Sequence, residues 1–388
     1  MPQWKQYSGI WTPTQQAQAV ADGTWTGIIY NYLYTGGNSS SGDLGDNTTI
    51  NKSSPVQIGT DTWLFAHSVN GDMVIAQRTD GSIWSWGENG HGQLGVGDKI
   101  KYSSPVQIGA LTNWSKIRAA DWNAGALKND GTLWLWGRGS AGQLGNNNAI
   151  SRSSPVQVGA DTDWDDFVTS DSLCLAKKTD GSLWVWGTNY FGSCGLDSAL
   201  NYVSSPTQIG IGSTWTQITT GKTTAGAIKD DGTAWVWGRN NYGQLGLNNK
   251  NDVSSPTQIG SSDYTQINVG SVSQFLKSDG TLWVSGINNQ GQLGLNIGIA
   301  AHRSSPVQLG ALSTWALNSV KSGNANATLF IKQDSSIYGT GYNFYGSLLQ
   351  EDTVNRSSPV QIGPDKTWSS AYLGFNGSLF VGISEEST

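Results

Sequence analysis

Residues 103–109 read Ser103-Ser104-Pro105-Val106-Gln107-Ile108-Gly109, and the same heptad, with Thr for Val and Val or Leu for Ile, occurs seven times. Its proline falls at Pro55, Pro105, Pro155, Pro206, Pro256, Pro306 and Pro359. A fixed period near 50 residues means stacked supersecondary units rather than unrelated domains. Between these marks lies Lys128-Asn129-Asp130-Gly131-Thr132-Leu133-Trp134-Leu135-Trp136-Gly137, echoed around Asp80, Asp180, Asp231 and Asp279. Asp-Gly between two apolar runs is a hairpin signal, and two positive φ angles would make it a tight primed turn. A third mark, Gly-Gln-Leu-Gly, occupies 92–95, 142–145, 243–246 and 291–294, with variants at 42–45, 192–195 and 346–349. Its glycines permit a bent loop ahead of the proline-bearing strand, which belongs at a sheet edge because proline has no N–H for the ladder.

Each unit therefore predicts four short strands, and the chain an all-β fold. Of the nineteen tryptophans, fifteen fall in two repeat phases, the Leu-Trp-x-Trp strand and the strand that follows the proline. In Leu133-Trp134-Leu135-Trp136 the two-residue period puts Trp on one face and Leu on the other, so both faces of the sheet are apolar. An open stack would leave a terminal face bare, whereas a ring covers every face. The expectation is a closed seven-bladed β-propeller with four-stranded blades.

These marks resemble the regulator-of-chromosome-condensation repeat family, whose Leu-Tyr/Trp-x-Trp-Gly, Gly-Gln-Leu-Gly and Pro-Val elements build a seven-bladed propeller. Where family units usually place a His before the Ala-Leu strand, this chain has Asn123 or Ala124 and Thr223 or Thr224. The family's guanine-nucleotide exchange role therefore does not carry over by resemblance. The ends are uneven: seven Pro-Val copies face eight segments able to supply a first strand pair. Taking the C-terminal copy, with Trp368 and Leu379-Phe380-Val381, into the ring leaves residues 1–31 as an arm and 32–388 as the propeller; the other choice closes the ring from about residue 14 to 363.

The arm carries a second resemblance. Residues 7–25, from Tyr7-Ser8-Gly9-Ile10-Trp11 to Gly23-Thr24-Trp25, look like a short N-terminal motif of marine tailed-phage structural proteins. That resemblance implies a virion protein, of tail-fibre or head-decoration type, assembled in the host cytoplasm. Trp4, Tyr7, Trp11 and Trp25 would be its anchor to other virion proteins, while the propeller meets host-surface polysaccharide or protein. The alternative class is a soluble bacterial propeller scaffold, or an exchange-factor-like protein, that binds a protein partner.

Chemistry is hard to find in this sequence. His67, His91 and His302 fall at three different repeat phases and read as surface or loop residues, not metal ligands. The run Asp161-Thr162-Asp163-Trp164-Asp165-Asp166 lacks the Gly and distal Glu of a calcium loop. Cys174 and Cys194 share one repeat at packing positions. No nucleophile elbow, phosphate loop or dinucleotide fingerprint occurs, so no catalytic, metal or cofactor residue is assigned and no enzyme is expected. A net charge of −6 argues against nucleic acid. No run of eighteen apolar residues predicts a membrane span, and Trp4-Lys5-Gln6 does not open a signal peptide. Function is expected where the repeat diverges, at the tips between Trp-Gly and Gly-Gln-Leu-Gly, with Tyr190, Phe191, Tyr242, Phe344 and Tyr345 as binding-loop candidates.

Overall fold

The computed structural model describes residues 29–68, 73–210, 214–311, 314–316, 320–322, 326–363, 367–373 and 379–387. Six antiparallel four-stranded meanders follow one another over residues 63–107, 114–157, 164–208, 215–259, 264–308 and 315–362, hereafter blades 1 to 6. The seventh blade is assembled from both ends of the chain. In it Thr367–Leu373 pairs with Leu379–Ser387, which pairs with Ile29–Gly37, which pairs with Lys52–Gln57. The fold is thus a seven-bladed β-propeller of four-stranded blades, as the period predicts. In every blade the proline strand is an edge strand, where a missing N–H leaves no ladder bond unmade.

Nine consecutive residue pairs join Ile29–Gly37 to Leu379–Ser387, from Ile29 opposite Ser387 to Gly37 opposite Leu379. Ile29, Tyr30 and Asn31 belong to this ladder, so the strand reaches three residues into the stretch read above as the arm. Trp4, Tyr7, Trp11 and Trp25 lie outside the described residues. Val320–Ser322 runs parallel to Thr367–Leu373, which stitches blade 6 to the closing blade.

The core is divided among the gaps between blades. Among the described residues there are seven apolar clusters, each built from two neighbours: one unites Leu135, Leu144, Phe167, Cys174 and Trp186 of blades 2 and 3, for example. At the junction, Tyr34, Leu329, Leu349, Trp368 and Phe380 join blade 6 to the closing blade. Leu33, Trp63, Trp86, Val381 and Ile383 join the closing blade to blade 1. No blade buries its apolar faces alone, and that is what makes the ring necessary.

The Asp-Gly hairpins differ from the primed turn predicted for them. The Gly131 N–H bonds the Lys128 carbonyl at 3.0 Å, the Lys128 N–H bonds the Thr132 carbonyl at 3.0 Å, and Gly131 has φ 78° while Asp130 is not left-handed. This is a three-residue loop with glycine at the left-handed position. Asp130 acts instead through its carboxylate, which accepts from the Thr132 N–H at 3.0 Å and hydroxyl at 2.6 Å, while Trp134 donates its indole N–H to that hydroxyl at 2.9 Å.

Candidate functional site

An antiparallel meander puts its first and third connections at one end and its second at the other. The tip end of the ring therefore gathers the turns between first and second strands, near the axis, and the divergent tips between third and fourth strands, further out. Here the repeat stops dictating residue identity. The residue after Trp-Gly, or its equivalent, is Asn38, Glu88, Arg138, Thr188, Arg239, Ile287 and Tyr342 in successive blades.

Sequence reasoning missed the centre of this face. Trp122, in the inner turn of blade 2, is the one tryptophan among the described residues outside the two repeat phases. Its half-buried ring has the Arg138 guanidinium 4.4 Å from its centroid, the Lys222 ammonium at 5.8 Å and the His91 ring at 5.7 Å. Beside it lies Asp171, buried in the inner turn of blade 3. Asp171 pairs with Lys222 at 3.0 Å, accepts from the Asp121 N–H at 3.3 Å, and through its carbonyl accepts from Asn123 and Gln143 at 3.1 Å. Inner turns of blades 2, 3 and 4 are thereby locked into one rigid platform. Desolvation and the Arg138 charge hold the His91 imidazole below its usual pKa, so the ring is neutral at pH 7. The clue in the sequence was the phase of Trp122, out of step with fifteen others.

The five predicted tip aromatics are all on this face but do not form one site. Tyr190 and Phe191 stand 60% and 45% exposed on a single 3-10 turn of blade 3, with the Arg239 guanidinium of blade 4 at 4.8 Å from the Phe191 ring. Tyr242 is half-buried, packed against the blade 5 cluster and edge-on to His302 at 5.1 Å. Phe344 is 61% exposed and stacks on Tyr342 at 6.0 Å, with Tyr345 edge-on at 5.2 Å.

Other sequence candidates resolve into structural roles. His67 is buried in the strand Trp63–His67, not on the surface, because its Nδ1 accepts the Ala119 N–H of the next blade at 3.0 Å. The acidic run is neutralised by cations: Asp161 and Asp163 pair with Lys178, Asp165 with Lys177, and Asp166 with Lys116 and Arg118. Among the described residues no His, Cys, Asp or Glu cluster has metal-site geometry. Cys174 and Cys194 are buried free thiols; burial pushes Cys174 well up and Cys194 to about 12, which leaves both unreactive at neutral pH.

The model of the RCC1-like domain matches residues 28–326. The ultraviolet-B receptor UVR8 of Arabidopsis thaliana is 28% identical over 138 residues; the match covers 35% of this chain and about a third of the receptor's own length. Human WBSCR16 superposes with a TM-score of 0.80 at 17% identity, over 91% of this chain and 98% of that one. Prp20p of Saccharomyces cerevisiae, studied for its binding to Gsp1p and histones, superposes at 0.78 and 17% identity, over 92% of each chain. Yeast RCC1 (Prp20) bound by Kap60 gives 0.80 at 16% identity, over 100% and 97%. At these identities the structural likeness is one of fold.

Proposed function

This chain belongs to the RCC1-like domain family, and from that premise we propose that it is a non-enzymatic propeller that binds a partner protein on its tip face, centred on Trp122. The observation that carries the reading is the Trp122 ring held among His91, Arg138 and Lys222 on a platform whose residues the repeat does not require. Tryptophan and arginine supply most of the energy at protein interfaces, and a rigid mount lowers the ordering cost of docking. Prp20p, with its Gsp1p and histone binding, is a precedent within the fold. Catalysis is left out because, among the described residues, the tip face offers no nucleophile paired with a base. Two narrower forms of the role, exchange-factor-like action on a small GTPase and attachment to a virion through residues 1–31, rest on resemblance and form no part of the proposal.

Trp122→Ala tests it. A partner captured by the wild-type chain is expected to bind the variant at least ~30-fold more weakly, the loss of about 2 kcal/mol typical of a hot spot. The variant should keep the wild-type thermal midpoint, since Trp122 belongs to none of the seven inter-blade clusters. Undiminished binding contradicts the reading.

A further inference from the structure

Where blade 4 meets blade 5, the tip face opens into a pocket of about 250 Å³ that borders the Trp122 platform at Lys222 and is lined by Lys222, Thr224, Arg239, Asn241, Tyr242 and Ser271 among others. We propose that this pocket binds a sugar acid: a pyranose ring carrying a carboxylate, as one residue of an acidic polysaccharide. The inference goes beyond the protein-binding reading and does not depend on it.

The lining decides the chemistry. Two cations, three hydroxyl residues and two amides line it with one aromatic ring, a set too polar to anchor an apolar side chain of a protein partner. Arg239, like Arg138, Arg152 and Arg303, forms no ion pair among the described residues, whereas Arg78, Arg118 and Arg356 do. Its place is nonetheless fixed: its backbone N–H bonds the Thr223 carbonyl at 2.9 Å, and its guanidinium rests 4.8 Å from the Phe191 ring centroid, which leaves the edge N–H groups to receive a carboxylate as a fork. Lys222 already shares Asp171, so it adds positive potential rather than a second free charge. Thr224 lines the pocket, is 2% exposed, and its hydroxyl has no hydrogen-bond partner among the described residues. An orphaned buried hydroxyl is costly unless a ligand supplies its partner, and sugar hydroxyls both donate and accept. Tyr242, steadied by His302, offers a flat face for a pyranose ring to lie against. Lys222 and Thr224 are not repeated at the equivalent position of any other blade, so the fold does not explain them.

The test is calorimetric titration of the full chain with trigalacturonate, with neutral maltotriose and tetraglutamate as comparison probes. Saturable trigalacturonate binding is expected, at least tenfold tighter than maltotriose. Arg239→Gln should weaken it at least tenfold with an unchanged thermal midpoint, Arg239→Lys should weaken it less because the charge stays and the fork is lost, and Lys101→Gln, in blade 1, should bind as wild type. Absence of trigalacturonate binding, equal binding of maltotriose, wild-type binding by Arg239→Gln, or equal affinity for tetraglutamate would each overturn the assignment, the last by making the pocket an acidic-peptide site.

Discussion

Asp130 is exposed, yet its carboxyl lies below the usual Asp value because the Thr132 hydroxyl and N–H both donate to it. The same arrangement lowers Asp80, Asp180, Asp231, Asp279 and Asp334. A carboxyl with a lowered folded pKa contributes stability in full above its unfolded value near 3.8, and loses it as pH falls through the folded value. Asp130→Ala is therefore expected to lower the thermal midpoint slightly at pH 7, with the deficit narrowing at acid pH as the folded carboxyl takes up its proton. Melting curves at pH 7 and at acid pH check this, and an equal deficit would mean that charge plays no part. The role was half visible in the sequence. Asp-Gly marks a hairpin, but that Asp works as an acceptor for Thr132 and thereby for Trp134 depends on the turn geometry, which gives left-handed φ to glycine alone.

One element explains why Gly-Gln-Leu-Gly and Ser-Ser-Pro share a period. The loop of each blade closes on the next blade. A Cβ at Gly142 would lie 2.7 Å from the Ser204 Cα of blade 3, and the Asn147 N–H bonds the Ser204 carbonyl at 2.9 Å. Trp186 donates its indole N–H to the Gln143 carbonyl at 3.0 Å, and a Cβ at Gly145, with φ 67°, would lie 2.7 Å from that nitrogen. Where Trp is absent from this position, the Ser285 and Thr340 hydroxyls donate to the Gln244 and Gln292 carbonyls at 3.0 and 3.1 Å. At the ring's junction the fit is reversed: Leu349 replaces the loop glycine, and Gly36 replaces the tryptophan, leaving room for the Leu349 side chain. Gly145→Ala is expected to cost about 2–4 kcal/mol, from left-handed strain plus overpacking against Trp186. Gly159→Ala, at φ 61° with open space around it, should cost only about 1–2 kcal/mol of strain. Urea unfolding of the pair checks the difference, and equal losses would remove the contact with Trp186 from the account. The period made these loops legible, but each partner lies some 43 residues onward in a different blade, a distance that local patterning does not register. The tip aromatics were legible as a class; Trp122 and Arg239 were not, because their meaning comes from what the ring brings beside them.

At the scale of the molecule, every blade shares its core with two neighbours, so the stability of the ring depends on the blade made from both chain ends. The sequence left two ways to close it, since both end segments carry apolar strand patterns; pairing decides between them, with nine partners for Ile29–Gly37 and the burial of Trp368 and Phe380 against blade 6. The same closure seats the tip face, since turns near the axis hold their places only while all seven blades press together. The most direct test is calorimetry on a chain that lacks Leu379–Ser387, the strand that joins the two ends. Loss of the buried Phe380, Val381 and Ile383 from two inter-blade cores is expected to lower the midpoint by on the order of 10 °C or more, in one transition that includes the distant blades 3 and 4. A truncated chain that melts at the wild-type temperature would contradict the closed ring.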